Sequence, residues 1–241
     1  MVMDMMTPIV KKNVLLQGIK ACLFDFDGVI VDSEQLHTDI KQKTLDVLGI
    51  TYPENVVINF QGRPDIDFFN YVNQELLSDQ KSQQKKYSVR AMLLLKYDLY
   101  RKNNDNLELI DGIKEMLAHS KKKFDHTVIV TSSIINDVKK ITDKHFHSET
   151  FDYIVSCEDT QRHKPFSDPY EKGVFLCGLR PEQCLVIEDT PNGILAAKAA
   201  GCMVAAITNT FSKRLLIEAN ADIVFDRYEQ LLHLLNTSHR S

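Results

Sequence analysis

The sequence predicts an α/β protein: a doubly wound, Rossmann-like parallel sheet carrying an inserted α-helical cap subdomain. Three observations predict it. Short apolar runs recur along the chain, each closed by a polar or small residue. In the C-terminal half these runs alternate with segments of helical periodicity, the pattern of strand–crossover–strand units. The first run is separated from the second by roughly a hundred residues, far more than one crossover helix uses.

The elements follow in order. Ala21–Phe26 is the first expected strand. Leu36, Ile40, Thr44, Val47 and Leu48 share one helical face, and Gly49 ends that helix as a left-handed cap. Val89, Met92, Leu93, Tyr97 and Tyr100 mark another helix of the insert. Strands are then expected at Thr127–Val130, Tyr153–Val155, Cys184–Ile187, Met203–Ile207 and, more weakly, Ile223–Phe225. Helices fall between them at Asn136–Lys144, Asp168–Cys177, Gly193–Ala200 and Lys213–Ala219. The expected organisation is a core of residues 19–32 and 109–241, a helical cap of 33–108 acting as a lid, and a flexible tail of 1–18.

Composition bounds the function. Apolar residues at 44% and charged residues at 26% fit a soluble globular protein. A net charge of −4 carries no nucleic-acid footprint, so no nucleic-acid partner is expected. No apolar run reaches the length of a membrane span, and residues 1–18 lack the continuous apolar stretch of a secretory signal. Cys22, Cys157, Cys177, Cys184 and Cys202 form no C-x-x-C pair and read as reduced, buried hydrophobes. A cytoplasmic location is therefore expected. Between Gln74 and Asn104, the residues Lys81, Lys85, Lys86, Arg90, Lys96, Arg101 and Lys102 read as a solvated helix face rather than an anion-attracting one.

The chemistry-bearing residues sit at expected strand ends, where open α/β sheets bind their ligands. Asp25 and Asp27 are two apart, so a strand would project both carboxylates to one side. Such a pair needs a cation between its members or a proton on one of them. Thr131-Ser132-Ser133 follows the second run, Lys164-Pro165 lies in the loop after the third, and Glu188-Asp189 ends the fourth. Together they supply carboxylates for a hard cation, a hydroxyl and backbone N–H groups for an oxyanion, and one fixed positive charge. Phosphoryl transfer assisted by Mg²⁺ uses that inventory.

These residues stand in four stretches: DFDGVIVDSE at 25–34, VIVTSS at 128–133, HKPFSDPY at 163–170 and VIEDTPNGILAAKAAG at 186–201. In order and spacing the set resembles the haloacid dehalogenase (HAD) superfamily, in its helical-cap branch of β-phosphoglucomutase-like and sugar-phosphatase-like proteins. The resemblance covers residues from about 20 to 225. It implies Asp25 as the nucleophile that forms an aspartyl-phosphate, and Asp27 as the general acid and then the base. It implies Mg²⁺ as cofactor, held by Asp25, the Asp27 carbonyl and Asp189, with Glu188 beside the metal. Thr131 and the Ser132 N–H would bind the transferring phosphoryl, and Lys164 would offset charge. Gly62 and Arg63 resemble the cap loop that meets substrate, and His37 occupies the place of a histidine that handles protons in mutase-like relatives. Family dehalogenases lack an aspartate at the second position, so Asp27 points to phosphate chemistry.

Departures from the family pattern choose among the phosphate reactions. A mutase holds a second phosphate with polar or basic residues after the second motif and with an arginine beyond the cap-loop glycine. Here Ile134 and Ile135 follow Ser133, and Asp65 stands at the arginine's place. The expected function is a Mg²⁺-dependent phosphatase acting on a small phosphate ester, of the sugar or polyol phosphate class. The alternatives are a β-phosphoglucomutase-like mutase and, behind it, a non-catalytic metabolite sensor. A monomer or weak dimer is expected. Asp168 before Pro169 reads as a helix N-cap rather than a catalytic group.

Overall fold

The computed structural model describes residues 7–11, 16–53, 55–60, 65–77 and 87–237. The chain divides into two compact units, one of residues 1–32 with 108–241 and the other of residues 33–107.

Among the described residues of the first unit, seven strands form one sheet: β1 (Ile9–Val10), β2 (Ala21–Phe24), β3 (His126–Val130), β4 (Tyr153–Val155), β5 (Cys184–Glu188), β6 (Met203–Ile207) and β7 (Ile223–Phe225). Their spatial order is β1-β7-β6-β5-β2-β3-β4. All pairings are parallel except β1 with β7. The tail expected to be flexible is therefore in part an edge strand, with Ile9 opposite Val224 and Val10 opposite Ile223. Two residues are too few for period-two alternation to be visible in the sequence.

Central strands are apolar throughout because both faces of a parallel sheet are covered. Every residue of β2 and β5 is buried. Leu23, Val128, Val130, Val186 and Val204 pack with Tyr170, Ile194 and Ala197 in one core. Register fixes the site. Phe24 lies opposite both Ile129 and Ile187, so Asp25, Val130 and Glu188 fall on the next rung together. β2 ends at Phe24, two residues earlier than the sequence pattern implies. Beyond it the chain turns through Gly28, whose φ of +75° favours glycine.

In chain order the helices are α1 (Glu34–Val47), α2 (Asp65–Tyr71), α3 (Val89–Asn103), α4 (Ile113–Lys123), α5 (Ile135–His145), α6 (Asp168–Cys177), α7 (Pro191–Ala199), α8 (Lys213–Glu218) and α9 (Tyr228–Thr237). Helices α1 to α3 belong to the second unit. There Leu45, Phe60, Phe68, Phe69, Val72 and Met92 form a separate apolar core. Ser88 caps α3 by accepting the Ala91 N–H at 3.1 Å. None of the helices among the described residues is long and apolar enough to cross a membrane. All five cysteines are free thiols, and four of them are buried.

Candidate active site

The end of the sheet carries a buried charge cluster built from three loops and a strand end. Lys164 Nζ donates to Asp25 Oδ1 at 2.7 Å, to Glu188 Oε1 at 2.7 Å and to the Val130 carbonyl at 3.0 Å. Its three acceptors are the three residues that register places on one rung. All three charged residues are at most 9% exposed. Burial pushes the Asp25 carboxyl up to about 7, against the pull of Lys164, and Glu188 and Asp27 add to the rise. Burial acts to lower the Lys164 ammonium, but Asp25 and Glu188 outweigh it and hold that pKa above its usual range.

Glu188 is fully engaged. Oε1 also accepts the Tyr170 hydroxyl at 2.7 Å, while Oε2 accepts the backbone N–H groups of Asp189 and Thr190 and the Thr190 hydroxyl. Thr190 in turn caps α7 by accepting the Gly193 N–H at 3.0 Å. A Cβ at Gly193 would overlap the Glu188 carboxylate, so glycine at this position is what lets the helix approach. Sequence reasoning placed Glu188 beside the metal; its contacts are those of a carboxylate that holds Lys164 and Tyr170 in place.

Asp27 lies outside the strand. Its Oδ2 accepts the Ser133 hydroxyl at 2.6 Å. Thr131 Oγ1 accepts the Ser133 N–H at 3.0 Å, and Thr131 is anchored by its own N–H to the Val155 carbonyl. Thr131 is not a helix cap, since Ile134 precedes α5. Ser132, next along the loop, is exposed. Asp168 is not an N-cap either. Ser167 holds that position, and the Asp168 carboxylate pairs with Arg162 at 2.9 and 3.0 Å.

Asp25, Glu188 and Asp189 each offer a carboxylate oxygen, and these atoms lie within 4.8 Å of one another. An all-oxygen, buried donor set of this kind suits a hard divalent cation such as Mg²⁺ rather than a soft one. With both Glu188 oxygens engaged by several donors, Asp25 and Asp189 are the carboxylates suited to hold the ion. Asp189 Oδ2 accepts the Thr210 hydroxyl.

Sequence reasoning placed Ser133 at the site without a role, and missed Tyr170, Thr190 and Thr210 as parts of it. Ser133, Tyr170 and Thr190 lie inside the quoted motifs; Ser133 and Thr190 follow expected strand ends, whereas Tyr170 sits on an expected helix and carries no such signal. Thr210 carries none either.

In the helical unit, the expected solvated face is not uniform. Lys96 is 1% exposed and Lys41 3%. Lys96 Nζ donates to His37 Nδ1 at 2.9 Å and pairs with Asp65 at 2.7 Å; Lys41 lies 3.6 Å from the other Asp65 oxygen and donates to the Phe60 carbonyl. The Lys96 ammonium faces Nδ1 of the His37 ring. The ring stacks on Tyr100 at 4.6 Å. Burial acts to raise the Asp65 carboxyl, but Lys96 and Lys41 prevail and hold it at about 2. Burial, together with neighbouring Lys96, lowers Lys41. Gly62 and Arg63 lie outside the described residues.

A family model described as haloacid dehalogenase-like hydrolase matches residues 22–207. Pyrophosphatase PpaX of Bacillus cereus (strain B4264) is 24% identical over 228 residues, covering 92% of this chain and 99% of that protein. Validoxylamine A 7'-phosphate phosphatase of Streptomyces hygroscopicus subsp. limoneus is 27% identical over 203 residues, covering 83% and 91%. Among solved structures, CbbY from Rhodobacter sphaeroides in complex with phosphate superposes with a TM-score of 0.72 at 22% identity, covering 88% of this chain and 96% of that one.

Proposed function

The chain belongs to the haloacid dehalogenase-like hydrolase family, and from that premise we propose a Mg²⁺-dependent phosphatase that hydrolyses a small phosphorylated metabolite of the sugar or polyol phosphate class. The observation that carries the reading is the separation of the two aspartates: Asp25 is ion-paired to Lys164, and Asp27 is bonded to Ser133.

Asp25 is the nucleophile. Lys164 holds one of its oxygens on the rung, so the carboxylate is oriented before substrate arrives. As Asp25 Oδ attacks phosphorus, the bond to the leaving oxygen breaks and that oxygen takes the proton from Asp27. Ser133 positions the Asp27 carboxyl by donating to its other oxygen. Thr131 and the Ser132 N–H stabilise the equatorial phosphoryl oxygens. Water then attacks the aspartyl-phosphate, and Asp27 takes its proton, regenerating both aspartates. Asp25, the Asp27 carbonyl and Asp189 would hold the divalent ion, which when bound neutralises phosphoryl charge. Glu188, gripped by Tyr170 and Thr190, fixes Lys164.

Two features support a phosphatase over a mutase. In the sequence, Asp65 stands where the family pattern has a phosphate-binding arginine, and its negative charge is claimed by Lys41 and Lys96. Ile134 and Ile135 add no donor side chain after Ser133. His37, bonded to Lys96, and Arg63 are proposed to act on the substrate side. The test is phosphate release from a panel of sugar and polyol phosphates, with Mg²⁺ and with chelator. Metal-dependent release is expected; conversion of β-glucose 1-phosphate to glucose 6-phosphate without net release would establish the mutase instead.

A further inference from the structure

The loop after β6 reaches into the site from the side. Its base is fixed by Thr208, whose N–H donates to the Phe225 carbonyl at 3.1 Å and whose hydroxyl donates to Asp226 Oδ1 at 2.8 Å. The next two residues then bond to two different parts of the site. Asn209 Nδ2 donates to the Gly28 carbonyl at 2.7 Å, in the turn that follows Asp27. Thr210 Oγ1 donates to Asp189 Oδ2. The three partners are packed without slack: a Cβ at Gly28 would overlap Asp189 Oδ2 and come within 2.9 Å of Thr210 Oγ1. One loop thereby ties the turn inside the first motif to the carboxylate of the fourth.

This arrangement restricts how Asp189 can bind a cation. A carboxylate that gives one oxygen to a hydroxyl and is wedged against a backbone turn cannot swing to present both oxygens to an ion. Mg²⁺ is small, demands near-octahedral geometry and is held through single carboxylate oxygens, whereas Ca²⁺ accepts bidentate carboxylates and more ligands at longer distance. We propose that Thr210 is a positioning residue that confines Asp189 to one-oxygen binding and so sets the preference of this site for Mg²⁺ over Ca²⁺. The inference rests on the metal role given to Asp189 above. It assigns a function to a residue outside the four motifs, acting through Asp189 rather than on substrate.

The experiment is calorimetric titration of metal-stripped enzyme with Mg²⁺ and, separately, with Ca²⁺, for wild type, Thr210→Val and Thr210→Ser. Melting temperature without metal is measured alongside. Valine keeps the shape and removes the hydroxyl; serine keeps the hydroxyl. Partners that orient a metal ligand are commonly worth a 10–100-fold change in affinity, so Thr210→Val is expected to weaken Mg²⁺ by about that factor. Ca²⁺, free to use both oxygens, should change by no more than about threefold. Thr210→Ser should retain the wild-type ratio. A merely structural loop anchor would lower the melting temperature and leave the Mg²⁺/Ca²⁺ ratio untouched, which overturns the proposal. If Thr210→Val does not fold, Thr210→Cys, similar in volume with a far weaker donor, reads the same ratio. Wild-type enzyme that binds neither ion would remove the metal reading itself. A Mg²⁺ preference kept by the valine variant would remove only the role of Thr210.

Discussion

Lys164 and Asp25 are 139 residues apart in sequence and 2.7 Å apart in the folded chain, where the ammonium of one holds the carboxylate of the other. The same ammonium bonds Glu188 Oε1, so one buried cation stands between two buried carboxylates. Removing one member of such a group leaves uncompensated charge, which costs far more than the group as a whole contributes.

Lys164→Met is therefore expected to lower kcat by at least about 100-fold, the scale seen when one preorganised charge-stabilising donor is lost. Without added metal it should also destabilise the fold by roughly 3–5 kcal/mol. Phosphate-release kinetics and denaturant unfolding in chelator check the two parts separately. Added divalent ion is expected to recover part of the stability, because it supplies positive charge beside Asp25.

Asp27→Asn tests the acid–base role with little structural disturbance. The amide oxygen can still accept the Ser133 hydroxyl, so the melting temperature should hold or rise as one clustered carboxylate is neutralised. Turnover should fall by about 10²–10⁴-fold, the usual worth of a positioned general acid. Wild-type turnover in this variant would remove Asp27 from the mechanism.

Gly193→Ala asks whether Glu188 must be approached so closely. The added methyl overlaps the Glu188 carboxylate, so either α7 or Glu188 has to move. A loss of about 1–3 kcal/mol is expected from overpacking, together with a fall in kcat because Glu188 aligns Lys164. A variant with unchanged stability and turnover would show that the Glu188 position carries no weight.

Asp65 supplies a pH test in the helical unit. Its pKa is held at about 2 in the folded chain, chiefly by Lys96 and Lys41 acting against burial. An unperturbed aspartate titrates near 3.9. A depressed folded-state pKa adds stability above the unfolded value and loses it as pH falls through the folded value. The contribution is therefore full above about pH 5, is lost as pH falls through the folded value and is gone by about pH 1, and amounts to roughly 2.6 kcal/mol. Over that window the stability gap between wild type and Asp65→Asn is expected to narrow by this amount. A constant gap between the two unfolding curves would mean that Asp65 is not the counter-ion of the two lysines.

How much of this was legible in sequence depended on whether the signal was local. The strands β2 to β7 were visible because buried parallel strands are continuous apolar runs, and Asp25, Thr131 and Glu188 were visible because they end such runs. Register, however, is a property of pairs of strands. Nothing in the local pattern says that Asp25, Val130 and Glu188 share a rung, or that Lys164 bonds all three. The same limit explains Thr210, whose partner is 21 residues away, and Lys96, whose partner His37 is 59 residues away. A lysine on a polar helix face reads as solvated until its counter-ion is known. Strand alternation, which is what pairs Asp25 with Asp27 in the sequence, stops short of both residues: β2 ends at Phe24 and the turn at Gly28 follows.

The central claim is that Asp25 carries the phosphoryl group. The most direct measurement is acid quench during steady-state turnover, followed by mass spectrometry of the peptide that contains Asp25, in wild type and in Asp27→Asn, where breakdown of the intermediate should be slow. A phosphoryl group on Asp25 in both, absent from Asp25→Asn along with turnover, is the result expected. An Asp25→Asn enzyme that turns over at the wild-type rate, with no phosphoryl group on this peptide in any variant, would contradict the account.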